Sequence, residues 1–310
     1  MDNLPVIIIR FALYADLMVL AGMVAFSLYA LVAEEQTSGI LPLIRPAVVL
    51  TLVGLMLSGL GMLALTASMT GSSLWALDGQ VLREIIGKSA IGTAWIVRMV
   101  AMAFAVLAAS ALDRRPSAAR FALLTSSALA IATLVWTGHA GATEGWTGTI
   151  HRLSDIVHML AAAVWIGGIA AFSWMLLRPI GRQGSEQLSV AHRALEQFSQ
   201  VGTLAVGLIV ATGLINSLIL LGLPSPSRLL ASPYGQLLLA KLGLFGAMLA
   251  LAGANRWRLT PALGAVIGTA DPAPAIRDLR RSLILESAAA LAILALVAWL
   301  GTLEPPGTAG

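Results

Sequence analysis

The chain has 310 residues, 58% of them hydrophobic and 11% charged, with a formal net charge of +4 and a mean hydropathy of +0.88. Soluble domains carry about 25% charged residues, so this composition cannot cover a water-exposed surface and excludes a soluble globular protein. Cysteine is absent, which excludes disulfides and thiolate ligands and leaves His, Met, carboxylate or backbone oxygen to hold any metal.

Eight apolar runs approach or exceed the roughly 20 residues a spanning helix needs. They predict an all-α, polytopic membrane bundle of eight transmembrane helices forming a single membrane domain over 1–310. The first run, about 6–32, is too long for a signal-peptide core and lacks a small-residue cleavage pattern after it, so it reads as a retained helix. The second, about 47–69, follows Leu41-Pro42 and Arg45-Pro46; the third and fourth, about 91–112 and 118–136, are separated by Arg115-Pro116 and complete a first half, 1–136. The fifth, about 151–177, is closed by Pro179, and the sixth, about 198–221, is followed by Pro224 and Pro226. The seventh, about 234–254, and the eighth, about 282–301 before Pro305-Pro306, complete the second half, 137–310.

Loop cations set the orientation. One set of alternating loops carries twelve arginines, from Arg45 through Arg114 and Arg115 to Arg280 and Arg281, against five cations opposite: Arg10, Arg83, Lys88, Arg152 and Arg228. The richer side is cytoplasmic by the positive-inside rule, so both termini and the loop between the fourth and fifth segments face outward. The pI near 10.1 reflects these topogenic cations and does not imply a nucleic-acid partner; the partner implied by composition is the lipid bilayer. A faint internal similarity points toward two parallel four-helix repeats. Ile91-Gly92 opens the third segment with Arg98 six residues after the glycine, and Tyr234-Gly235 opens the seventh with Lys241 at the same spacing.

Polar chemistry is concentrated in residues 137–168, which hold three of the four histidines, His139, His151 and His158. His151, Asp155 and His158 are spaced i, i+4, i+7, which places them on one helix face. That spacing suits two imidazoles converging on an ion, with the carboxylate ligating or orienting an imidazole through its second nitrogen. His139, at the outer end of the fourth segment, is close enough in sequence to join them. Glu144 and Trp146 sit in the intervening Gly-rich loop, and Met159 adjoins His158. Imidazole ligation suits copper, zinc, iron or nickel, and a thioether biases a site toward Cu(I). Interfacial His and Trp also act as plain anchors, but three of four histidines in one region with acidic neighbours favour a metal site. His192, beside Arg193 and Glu196, reads as a solvated loop residue.

Four ionisable residues lie several positions inside apolar runs: Asp16, Arg98, Asp155 and Lys241. Such groups are costly in hydrocarbon and face the bundle interior or a wet cavity, so Asp16 is expected to pair with Arg98 and Asp155 with Lys241. Together with Glu144 and Met159, Asp16, Arg98 and Lys241 are candidates for supporting the site. Glu286, in the inner half of the eighth segment, either marks a route toward the cytoplasm or binds a helix partner such as Asn216 or Asn255. The methionines form no regular ladder and read as packing residues. No Walker lysine motif or other nucleotide signal is present, so ATP-driven pumping by this chain and enzymatic activity are not expected.

Thr-Gly-His-Ala at 137–140, His-x-x-x-Asp-x-x-His at 151–158 and Ala-Ala-Ala-Val-Trp-Ile-Gly-Gly at 161–168 resemble the copper resistance protein D (CopD) family of bacterial inner-membrane proteins. Thr-Gly-Leu-Ile-Asn at 212–216, Tyr-Gly-Gln-Leu-Leu-Leu-Ala-Lys at 234–241 and Arg-Arg-Ser-Leu-Ile-Leu-Glu at 280–286 continue the resemblance in order. It implies an eight-helix inner-membrane protein of copper homeostasis, with copper ion as the bound species. It also implies movement of copper from periplasm to cytoplasm, alongside a periplasmic copper-binding protein of the CopC type. Carried onto this chain, it places the metal on His139, His151, Asp155 and His158. Two alternatives stay open: a b-type haem-binding electron-transfer protein, with His139 and His158 as axial ligands, and a copper receptor or assembly factor that does not transport.

Overall fold

The computed structural model describes residues 4–73, 77–177, 184–222, 226–267 and 272–306. Among them are helices α1 (Leu4–Tyr29), α2 (Ile44–Thr70), α3 (Gly79–Lys88), α4 (Ala90–Ser110), α5 (Pro116–Ala132), α6 (His139–Ala142) and α7 (Gly145–Leu177). There follow α8 (Gly184–Leu221), α9 (Pro226–Ala231), α10 (Pro233–Ala254), α11 (Thr260–Val266) and α12 (Ala273–Leu300), and no strand. Eight helical stretches among the described residues are long and apolar enough to cross a membrane, one of them running from α5 on to Thr137 and another from α10 through α11, as composition predicts.

Local chemistry sets the helix ends. Pro116 at the start of α5 and Pro233 at the start of α10 remove an N–H that a first turn leaves unpaired. Gly71, at φ 65°, closes α2 in the left-handed conformation that suits glycine. The stops expected at Pro179 and Pro224, with Arg178 and Arg182, lie outside the described residues, as does the side chain of Arg228.

Two boundaries depart from expectation. α7 begins at Gly145, so Trp146 belongs to its first turn and is 77% exposed, not part of a loop. α8 begins at Gly184 and runs for 38 residues, about 57 Å at 1.5 Å per residue, far beyond the roughly 30 Å hydrocarbon layer. Its first turns carry Glu186, His192, Arg193 and Glu196, which hide the helix from a hydropathy reading. Leu188, Ala191 and Leu195 nonetheless repeat at helical spacing and are buried beside Met175, Leu176 and Leu279. His192 is therefore helical, not a solvated loop residue. Its ring packs so closely on α11 that a Cβ at Gly264 would lie 2.5 Å from Nε2. Arg193 pairs with Glu35 of the α1–α2 connection.

α1 and α7 form the central pair, and α7 also packs against α8, α12 and α5. Their crossing needs glycine on both sides. A Cβ at Gly22 would lie 2.0 Å from the Ala163 carbonyl oxygen, and one at Gly167 would lie 2.2 Å from Gly22 Cα. Small residues at a membrane crossing let backbones approach this closely.

The faint repeat has a common local build. A short helix precedes α4, the Ser89 hydroxyl caps α4 by accepting from Gly92 N (2.9 Å), and a Cβ at Gly92 would strike the Ile85 carbonyl. A short helix also precedes α10, where Ser232 caps by accepting from Gly235 N (3.1 Å) and a Cβ at Gly235 would strike the Leu229 carbonyl. The halves then diverge: α2 and α4 pack directly against each other, whereas α8 and α10 make next to no contact among the described residues.

Candidate functional site

The i, i+4, i+7 spacing on α7 brings His151, Asp155 and His158 to one cavity of about 220 Å³, and His139 on α6 lines it too. Met159 and Lys241 also line it, as do Arg10 and Tyr14 from α1 and Tyr234 from α10. Glu144 is exposed and outside the cavity. Asp16 and Arg98 are likewise outside it, Arg98 lining a separate cavity of about 50 Å³ with Arg10 and Tyr14. Among the described residues, no three His, Cys, Asp or Glu side chains gather closely enough to hold a metal ion. The four candidates share a chamber without forming a closed coordination sphere.

Each imidazole commits one ring nitrogen to a neighbour. With the Thr143 hydroxyl proton assigned to the His139 carbonyl (3.1 Å), the ring donates in the contact with His151 Nδ1 (2.9 Å). Thr212 Oγ1 donates to the Leu208 carbonyl, so it accepts from His158 Nδ1 (3.0 Å). His139 Nε2 meets the Leu300 carbonyl oxygen (3.2 Å), which only accepts. A neutral imidazole with one nitrogen donating keeps a lone pair on the other. That leaves His151 Nε2, His158 Nε2 and His139 Nδ1 as available donors to a metal.

Asp155 Oδ1 accepts from Asn216 Nδ2 (3.2 Å). Asp155 and His158, three apart on α7, thus meet Asn216 and Thr212, four apart on the antiparallel α8. Threonine and asparagine, not further histidines, are the partners of these side chains, and sequence reasoning missed Thr143 and Thr212. The signal available was Thr212 and Asn216 on one helical face. Lys241 is near enough to act electrostatically on Asp155, yet the two form no direct ion pair among the described residues. Asn216 takes the position beside the carboxylate that the expected pairing gave to lysine.

The second expected pair is not formed either. Arg98 reaches Thr133 Oγ1 (3.5 Å), whereas neither Asp16 oxygen has a hydrogen-bond partner. Asp16 lies over α2, where a Cβ at Gly54 would come 2.6 Å from Oδ2. The two side chains leave their helices toward different neighbours.

His139 lies outside the spans, on α6. Burial, opposed by the bond to the Leu300 carbonyl and helped by the charge of Arg10, holds its pKa below the usual imidazole value and favours the neutral, ligating form. Its ring also meets Tyr234 edge-on at 6.0 Å between centroids. Midway along α12, Asn255 and not Asn216 binds Glu286, with Ser282 Oγ donating to the same carboxylate oxygen (3.2 Å).

Residues 1–149 match the family described as Copper resistance protein D-like, N-terminal domain, and residues 192–300 match Copper resistance protein D. The chain is 38% identical to Copper resistance protein D of Pseudomonas syringae pv. tomato across 98% of both chains. It is 28% identical to Inner membrane protein YebZ of Escherichia coli K12, across 81% of each. It is 35% identical to Copper transport protein CutJ of Bacillus subtilis 168, across 58% of this chain and 32% of that one. No solved structure matches it. Two family segments in order and a relative aligned from end to end establish that the chain belongs to the copper resistance protein D family.

Proposed function

We propose that this protein captures copper from the periplasmic side of the bacterial inner membrane and passes it toward the cytoplasm, with His139, His151, Asp155 and His158 as the capture site. One observation carries the reading: each of the three imidazoles commits one nitrogen to a neighbour and turns a lone pair free. Orienting partners of this kind fix ring and tautomer in metal sites. Asp155 offers the carboxylate that offsets an arriving charge, against Arg10 and Lys241 in the same chamber. The candidate donors line one cavity without closing a coordination sphere, and that open geometry suits exchange more than storage. The excess of arginine on alternate loops supports placing the site outward, where a periplasmic copper-binding protein of the CopC type delivers the metal.

The test measures copper bound by the purified protein and copper uptake into proteoliposomes, comparing wild type with His151→Ala/His158→Ala. Loss of both in the variant supports capture and transport. Loss of bound copper with no wild-type uptake reassigns the protein as a receptor. Equal copper in both proteins refutes the site, and an intense absorbance band near 400 nm in the purified protein identifies haem instead.

A further inference from the structure

The cavity at His158 does not end there. It shares His158, Gly213 and Lys241 with a second cavity of about 500 Å³ lined by α8 and α10, the helices that fail to pack together. A third, of about 290 Å³, lies beyond it, bounded by Phe198, Thr203, Asn255 and Glu286. Trp165 lines both the second and the third. It is 3% exposed, and its ring meets Phe245 edge-on at 5.7 Å. Along α10 the fourteen residues from Lys241 to Asn255 rise about 21 Å, most of the roughly 30 Å hydrocarbon depth. The cavity lined by α1, α2 and α4 residues beside Arg98 is smaller, about 50 Å³.

The far end is polar and incomplete. Glu286 is 3% exposed and accepts from Asn255 and Ser282, while Asn255 Oδ1 is buried without a hydrogen-bond partner. Asn255 also opens the π-helical turn Asn255–Leu259. Such turns concentrate at functional sites, and an ionisable residue at membrane depth marks one.

We infer that the second half contains a transbilayer route from the histidine cavity to Glu286, divided by the Trp165–Phe245 pair. Glu286 and Asn255 form a second, oxygen-donor cation site at its far end. The inference rests on the capture reading for its cargo. Carboxylate and carboxamide oxygens are harder ligands than imidazole, so this end releases a copper ion that the histidines hold more tightly.

The cysteine-free chain makes the route testable without copper. Single variants Ser217→Cys in the near cavities, Val206→Cys in the far one and Leu204→Cys on the exposed apolar face are treated in membrane vesicles with a small, membrane-impermeant methanethiosulfonate from one side or the other. Ser217→Cys is expected to react only from the histidine side, Val206→Cys only from the opposite side, and Leu204→Cys from neither. Adding Trp165→Ala opens each cavity position to both sides, and Trp165→Phe preserves the sidedness. Silence of Val206→Cys from both sides, or unchanged sidedness in Trp165→Ala with a full thiol count after denaturation, overturns the route. For the cargo, Glu286→Gln is expected to slow copper uptake at least tenfold with bound copper as in wild type; uptake at the wild-type rate overturns the far site. Absence of uptake by the wild type itself sinks the capture reading and leaves the labelling result standing.

Discussion

Thr212→Val is the sharpest probe of the capture site, because it removes one oxygen and almost no volume. In the wild type the Thr212 hydroxyl donates to the Leu208 carbonyl and accepts from His158 Nδ1 at 3.0 Å. Valine removes the side-chain acceptor and leaves the ring only the Ile209 backbone carbonyl beside it, at a cost of about 1–3 kcal/mol. The ring avoids this cost by moving its proton to Nε2, which occupies the nitrogen proposed to take the metal. Either response weakens copper binding, and at 1.4 kcal/mol per factor of ten the cost corresponds to roughly 5- to 150-fold. Loss of an orienting partner at metal sites generally costs about 10- to 100-fold. The assay is copper retained per purified protein against a graded competing chelator, for wild type, Thr212→Val and Thr212→Ser. The serine variant keeps the hydroxyl and is expected to stay within about twofold of wild type, an allowance far below one hydrogen bond of about 1 kcal/mol. Wild-type retention by Thr212→Val, or equal losses in the valine and serine variants, refutes the tautomer argument.

Three further outcomes follow from the geometry. Gly167→Ala drives a Cβ into the Gly22 backbone and is expected to destabilise by about 3 kcal/mol or more, read as a lower unfolding midpoint in detergent; Gly59→Ala, whose Cβ meets nothing within 4 Å, stays neutral or gains up to about 1 kcal/mol. Ser89→Ala and Ser232→Ala each remove a helix cap and are expected to cost about 1 kcal/mol in the same measurement, whereas loss at only one of them breaks the equivalence of the two helix starts. His139 has a lowered folded pKa, so the folded state binds fewer protons than the unfolded chain just below pH 6.5 and stability falls as pH drops through that range. The fall levels off once the folded pKa is passed. His139→Gln removes this component, seen as a shallower pH dependence of the unfolding midpoint between pH 7 and 5.

The spans were legible because a bilayer demands long, uniformly apolar runs, and the crossing helices have few other signals to confuse them. The first turns of α8 were not, since an amphipathic helix that leaves the membrane resembles a charged loop in any hydropathy average. Within the site, His151, Asp155 and His158 could be placed on one face because helical period alone determines that. Their partners could not, since hydropathy fixes depth in the membrane but not direction around the helix axis. Asp16 and Arg98 lie at compatible depths and still diverge, one over Gly54 and the other toward Thr133. Thr143 and Thr212 escaped notice for a related reason. A threonine hydroxyl routinely returns its proton to the backbone carbonyl four residues earlier, as both do here, and only the fold shows that the same oxygen also meets a histidine.

Threonine is used twice over on both sides of the chain, yet the two parts, alike in their helix starts, differ in what the threonine receives. Ser89 and Gly92 set α4 as Ser232 and Gly235 set α10, and each helix carries a cation six residues past its glycine. In the first half α2 and α4 close against each other, and Arg98 is spent on a threonine hydroxyl over a cavity of about 50 Å³. In the second half α8 stays away from α10, Lys241 faces a chamber, and Thr212 and Asn216 on α8 turn to His158 and Asp155 instead of to α10. The Thr212–His158 and Asn216–Asp155 bonds thus tie α8 to α7 beside the cleft, and breaking them is expected to disturb both copper retention and the accessibility of Ser217→Cys.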